Sequence, residues 1–205
     1  MRRGIQLGLL ALAMLMLLTA CQRAHEEDRH LLERMTLQPG DLGRGWRTVK
    51  LRAPKRCMPS AIVCLDGILL RVGQPSGTAI ALTSLFPTSE AAMAHHKRTL
   101  RLLAPVGGRQ APPAETAQLL RRRREHYSAR VTAREAFRDG RARALLVIER
   151  IAITGGSDAT HYDAEFLYVV DGRVNMTVIV GPRRLSPPPR KLLARLVGRI
   201  ETARA

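Results

Sequence analysis

The sequence predicts an α+β fold: a single domain with a mainly antiparallel sheet and helices packed on it. Three observations carry that prediction. Asp171-Gly172 separates two runs of alternating polarity, Tyr162 to Val170 and Arg173 to Val180, which is the pattern of a tight β-hairpin. Ala144 to Ile153 is rich in Ile, Val and Leu and is broken only by Glu149 and Arg150, so it reads as a central strand with both faces partly covered. Near the C-terminus Leu192, Leu193, Leu196, Val197 and Ile200 recur at helical spacing and form a stripe able to cover a sheet.

The other elements follow in chain order. His25 to Met35 reads as a helix, with Glu26, Glu27 and Asp28 at the end where the helix dipole favours acids and Leu31, Leu32 and Met35 on one face. Thr36 to Arg47 is a turn-rich connection ending on the sole Trp, Trp46, which reads as a core plug. Strands are expected over Trp46 to Leu51, Gly67 to Val72 and Thr78 to Phe86. Ser89 is placed to cap a helix running to Leu103, with a stripe of Met93, His96, Leu100 and Leu103 and a stop at Pro105. Val106 to Pro113 is a Gly- and Pro-rich loop, and Glu115 to Arg130 fits helix or strand equally.

In the hairpin, Tyr162, Ala164, Phe166, Tyr168 and Val170 share one face, opposite His161, Asp163 and Glu165. In the second arm Val174, Met176, Val178 and Val180 alternate with polar residues, so one wall of the sheet must be covered. Ser186-Pro187-Pro188 opens the final helix, from which Arg195 and Arg199 face away.

The first 20 residues have another character. Arg2 and Arg3 precede an uncharged, mostly leucine run from Leu7 to Leu18, and small residues Thr19 and Ala20 follow. This is a signal-peptide layout. The run is too short to cross a bilayer, which takes roughly 20 apolar residues. Leu18-Thr19-Ala20-Cys21 resembles the bacterial lipobox, which implies lipid attachment at Cys21 and cleavage before it. Two or three acyl chains would then hold the protein on the outer side of a membrane. The expected organisation is a leader over 1–20, a lipidated tether over 21–30 and an α+β domain over 31–205. Gln22 gives no signal for inner-membrane retention, so an outer membrane is an equally good destination if one exists.

The formal charge is +17, and removal of the leader lowers it to +15. Export excludes nucleic acid, the usual partner of such a basic chain. It leaves the membrane, an anionic envelope polymer, or an envelope ligand or protein as partners. Arg outnumbers Lys by 30 to 4, which is also what coding bias in a GC-rich genome produces. Aromatics are only 3% of the chain, so aliphatic packing must carry the core.

Cys57 and Cys64 enclose six residues that include Pro59 and Ser60, and an exported compartment permits a disulfide between them. Closing so short a loop stabilises by roughly 2 to 3 kcal/mol in the chain-entropy model. Zinc is excluded because no second Cys or His pair stands at ligand spacing.

Catalytic signatures are missing: there is no Gly-x-Ser-x-Gly elbow, and Gly155-Gly156-Ser157-Asp158 reads as a loop. No glycine pattern for phosphates lies between a strand and a helix, so no cofactor is expected. His95 and His96 are adjacent on a helix and diverge by about 100°, which prevents a shared metal, and His96 reads as a core histidine. His161, Asp163 and Glu165 are the one compact set of ligand-type side chains, able to serve acid-base or cation chemistry if other groups join them.

The first helix, Asp41-Leu42-Gly43-Arg44-Gly45-Trp46, the paired cysteines, the strand-helix unit, the long hairpin and the final helix resemble two groups. These are small uncharacterised lipoproteins of actinobacterial type and the extracellular sensor-like domains of some bacterial kinases, similar in layout to the PsbP-like α+β fold. Such proteins often hold more than one disulfide, whereas this chain has cysteines for one beside Cys21. The resemblance implies an envelope-facing ligand or partner domain and brings no catalytic residues. The expected function is therefore noncatalytic binding, with docking of the basic domain on anionic lipid or polymer as the alternative. A hydrolase built on His161 and Asp163 comes third.

Overall fold

Hairpin by hairpin, the chain builds one antiparallel sheet of eight strands. The structure is a computed structural model and describes residues 26–52, 57–58, 60–71, 77–112, 117, 122, 125–155, 159–181 and 187–205. The leader, Cys21 and Ser186 lie outside the described residues, as do Gly156, Ser157 and Asp158.

Helix α1 covers 26–35. A short helix α2, Pro39–Leu42, stands inside the segment expected to be only turns, because Pro39 at its first turn and the reciprocal Gln38 and Asp41 bonds satisfy its exposed N–H groups. Strands β1 (Trp46–Arg52), β2 (Val63–Arg71) and β3 (Gly77–Leu85) follow as a meander. β2 starts four residues before its expected beginning. Val63, Cys64 and Leu65 pair with β3, so the disulfide joins this strand to the residue pair before it.

Helix α3 (Ser89–Arg101) then crosses to the far side of the sheet. Its cap is Thr88, whose Oγ1 accepts from the Ala91 N–H, not Ser89. Arg109–Gln110, expected as loop, is the two-residue strand β4. The chain returns through β5 (His126–Asp139), β6 (Ala142–Thr154), β7 (Thr160–Asp171) and β8 (Val174–Gly181), and ends in helix α4 (Pro189–Arg204). The strand order is β1-β2-β3-β8-β7-β6-β5-β4, with every neighbour antiparallel. The segment left open between helix and strand is divided: residues 117 and 122 are helical and 126–130 belong to β5.

Both long hairpins turn on Asp-Gly-Arg. Asp171 pairs with Val174 and Asp139 with Ala142, so the turn residues are Gly172-Arg173 and Gly140-Arg141, one position later than the sequence suggested. The glycines sit at the first turn position with φ of 53° and 54°, the place that a type II′ turn reserves for glycine.

That pairing sets the layers. An even residue of β7 lies opposite an odd residue of β8, so the Tyr162-to-Val170 set and the Val174-to-Val180 set face opposite sides. The sheet is apolar on both walls and both are covered, where the sequence called for one. On one wall Leu192, Leu193 and Leu196 of α4 pack on Leu167, Val169, Met176 and Val178, and Leu32 and Met35 of α1 pack on Val63, Leu65 and Leu85. On the other, α3 places Ala92 on Val170 and Phe86, and its Leu100 with Leu103 of the following turn packs on Val131, Val147 and Tyr168. Each fully buried aliphatic side chain contributes about 1.5–3 kcal/mol, which pins α4 in place.

Arg195 and Arg199 do not face away into solvent. Arg199 donates Nη2 to Asp41 Oδ1 at 2.7 Å and Nε to Oδ2 at 3.0 Å, while Arg195 donates to the Asp41 carbonyl at 2.6 Å. Asp41, only 4% exposed, thereby clamps α2 to α4. The Asp41-to-Trp46 motif is thus architectural: Leu42 enters the core, and Trp46 is half-buried against it with its ring over Gly77. The cap of α4 is Pro188, which makes no side-chain bond, with Pro189 in the first turn.

Candidate functional site

Helix α3 is too short to cover its wall. It screens the half of the sheet next to the hairpin turns and stops at Arg101, so that among the described residues no helix covers the half towards Thr160 and Gly181. There five strands frame an apolar groove of about 710 Å³. β3 supplies Thr78 and Ile80, β8 Ile179 and Gly181, β7 Tyr162, Ala164 and Phe166, β6 Ile151, and β5 Tyr127.

The concavity follows from side-chain size. Ala164 and Gly181 form a low floor, with a Cβ built on Gly181 only 3.7 Å from that of Ala164, and the rings of Tyr162, Phe166 and Tyr127 rise around it. Its volume lies within the roughly 300–1,000 Å³ of ligand sites. Phenols beside apolar walls are held neutral: burial pushes Tyr162 up, and burial with the neighbouring Glu149 pushes Tyr127 up to about 12.

Glu149 is the unexpected residue. It lies on this same wall, opposite Ala164 in the register, and is 2% exposed. Burial drives its carboxyl above the ordinary range, and among the described residues no cation offsets that. Its field and burial also raise Tyr168, whose ring stacks on Phe166 at 6.4 Å. The sequence held a signal for it: a Glu inside an apolar run that is covered on both faces must be buried.

The sequence-predicted candidates behave differently. His161, Asp163 and Glu165 do share a strand face, but they do not act together. Asp163 Oδ1 accepts from Arg150 Nε at 3.1 Å, Glu165 is buried and His161 is exposed. A polar cleft of about 480 Å³ brings Ser128, Arg130, Arg150 and His161 together. Ser128 and His161 both pair with Ala152 from opposite sides, so their backbones stand two strand spacings, about 10 Å, apart. Asp163 is turned to Arg150 instead of orienting His161, so the arrangement is not that of a nucleophile, base and acid.

Among the described residues no group of three His, Cys, Asp or Glu side chains is placed to hold a metal. His95 packs on Phe86 at 5.1 Å, whereas His96 is 4% exposed under α3, which separates the two rings as the helical spacing requires. Cys57 and Cys64 are joined in a disulfide with Cα atoms 5.5 Å apart, and Ser84 Oγ donates to Cys64 Sγ.

Many arginines are internal partners. Arg141 bonds Asp171 at 2.7 Å, Arg190 bonds Glu135 at 3.1 Å, and Arg204 donates to the Asp171 carbonyl at 2.9 Å. Among the described residues no helix is long and apolar enough to cross a membrane.

No family model and no curated protein matches the sequence. The fold is similar to a solved structure, the extracellular domain of PknH from Mycobacterium tuberculosis, with a TM-score of 0.54 and 11% identity over 83% of this chain and 95% of that one. The sheet with helices packed on it is thus an architecture also used by the extracellular domain of a mycobacterial protein.

Proposed function

We propose that this protein is a lipid-anchored, extracytoplasmic binding domain that takes an apolar small molecule in the groove on its sheet. One observation carries the reading: a sheet wall ending in a concave surface of Tyr, Phe and Ile over an Ala164 and Gly181 floor, which α3 stops short of covering. A monomeric domain seldom leaves such a surface without a use.

The outside location is supported by the leader layout, the Leu18-to-Cys21 lipobox pattern and a disulfide, which persists only where thiols are not kept reduced. The likeness to an extracellular domain is consistent with it. Arg199 is held by Asp41 and mostly covered, whereas Arg141, Arg150 and Arg190 stay exposed in their pairs, so docking on anionic lipid remains the second reading.

Titration of the full chain with 4-phenylbutanol tests the groove. Ala164→Leu raises the floor and is expected to weaken binding on the order of tenfold, the scale of one misplaced group in an apolar pocket. Equal binding by both proteins rejects the groove as the site. Intact mass of protein extracted from membranes tests the anchor: the account expects a chain beginning at Cys21 with diacylglycerol attached, and an intact leader overturns it.

A further inference from the structure

We propose that the groove selects an apolar molecule carrying one basic amine, and that Glu149 is the group that receives the amine; this rests on the groove being the ligand site proposed above. Glu149 stands one residue outside the groove's lining. Its cross-strand partner Ala164 is the floor, and Ile151, two residues along β6 on the same face, is a wall. Paired side chains across a ladder lie about 5 Å apart at Cβ, so a glutamate's length spans the distance to the floor.

Glu149 is 2% exposed, and no cation among the described residues offsets its burial. Isolated burial of a carboxylate is costly, so the group either stays protonated or takes a positive partner. The charged and titratable groups facing it are few. Tyr127 from β5 and Tyr168 from β7 feel its field, Tyr162 lies beyond Ala164, and Arg134 acts on Tyr168 from the edge of the cluster.

Among the described residues the groove walls hold no Lys or Arg, and His161, which also lines the groove, is exposed. Rings of Tyr127, Tyr162 and Phe166 line it, and an aromatic face attracts a cation and does nothing comparable for an anion. The mature chain as a whole repels cations through its charge of +15, so any preference for an amine must come from local contact with Glu149.

The test uses three probes with one apolar body, 4-phenylbutylamine, 4-phenylbutanol and 4-phenylbutanoate, titrated calorimetrically into the full chain at pH 7.5. The amine is expected to bind tightest, on the order of tenfold or more beyond the alcohol, which is the scale of a hydrogen bond to a charged group. Glu149→Gln is expected to erase that advantage. A carboxylate that binds as tightly as the amine overturns the proposal in the wild-type protein alone, without any variant. So does an amine-to-alcohol ratio that survives E149Q. If the alcohol binds and the amine gains nothing, Glu149 loses its role while the groove stands; if none of the three binds, the groove reading falls as well.

Discussion

Acidification should destabilise this protein through His96. The imidazole is 4% exposed beneath α3, and burial, with His95 on the same helix and Arg143 from β6 nearby, pushes it from the usual 6.5 down to about 4. The native state therefore holds it neutral while the unfolded chain takes a proton near pH 6.5. A base depressed in the folded state contributes stability above its unfolded value and loses it as pH falls towards the folded value. Each pH unit in that window removes about 1.4 kcal/mol, so the descent from 6.5 to 4 removes about 3 kcal/mol. That is a large share of the roughly 5–15 kcal/mol of a typical domain.

The assay is urea unfolding of the full chain and its His96→Leu variant at pH 7.0 and 4.5. Carboxylates contribute equally to both proteins, so the difference between them isolates His96. It should move by about 2 to 3 kcal/mol in favour of the variant on going to pH 4.5. A difference that stays constant across the two pH values refutes the burial argument.

Other outcomes follow from the same structure. Asp41→Ala removes the acceptor of both Arg199 bonds and leaves a partly buried guanidinium unpaired, so urea unfolding should show a loss of about 2 kcal/mol, and a change within error would mean that the clamp carries nothing. Glu149→Gln should stabilise, on the order of 1 kcal/mol at neutral pH. Because burial raises this acid, its favourable contribution is present below the unfolded value and lost as pH climbs through the folded one, so melting temperatures of variant and wild type should diverge between pH 4 and 8 and not converge. Gly140→Ala and Gly172→Ala both place a Cβ at positive φ, costing about 1 kcal/mol each. Only the second drives it to 2.8 Å from Arg204 Nη2, so thermal melts should rank Gly172→Ala as the more damaging.

The fold class was legible wherever periodicity was strong. Trp46 to Leu51, Thr78 to Phe86, the helix after Ser89, the long hairpin and the C-terminal stripe all stand within a residue or two of where the pattern placed them. β5 was hidden because its inward positions are small or interrupted, Ala129 and Val131 followed by a bulge before Ala133, while Arg and Glu fill the outward ones. The second apolar wall was in reach of the sequence. Pairing across a two-residue turn matches even with odd positions, so two apolar sets both on even numbers cannot share a face.

The site was less legible for a physical reason. A groove made by the absence of a side chain at Gly181 and by the end of α3 at Arg101 has no motif, whereas the polar trio at His161, Asp163 and Glu165 is a pattern of residue types that a sequence displays directly. Glu149 alone advertised itself, as a carboxylate inside a buried strand.

The most direct measurement is an amide chemical-shift map of the isotope-labelled full chain as 4-phenylbutanol is added. The account predicts saturable shifts concentrated at Ile80, Ala164, Phe166 and Ile179, with the α2 and α4 surface around Asp41 and Arg199 silent. Shifts centred on that helical surface, or none at millimolar probe, would contradict it.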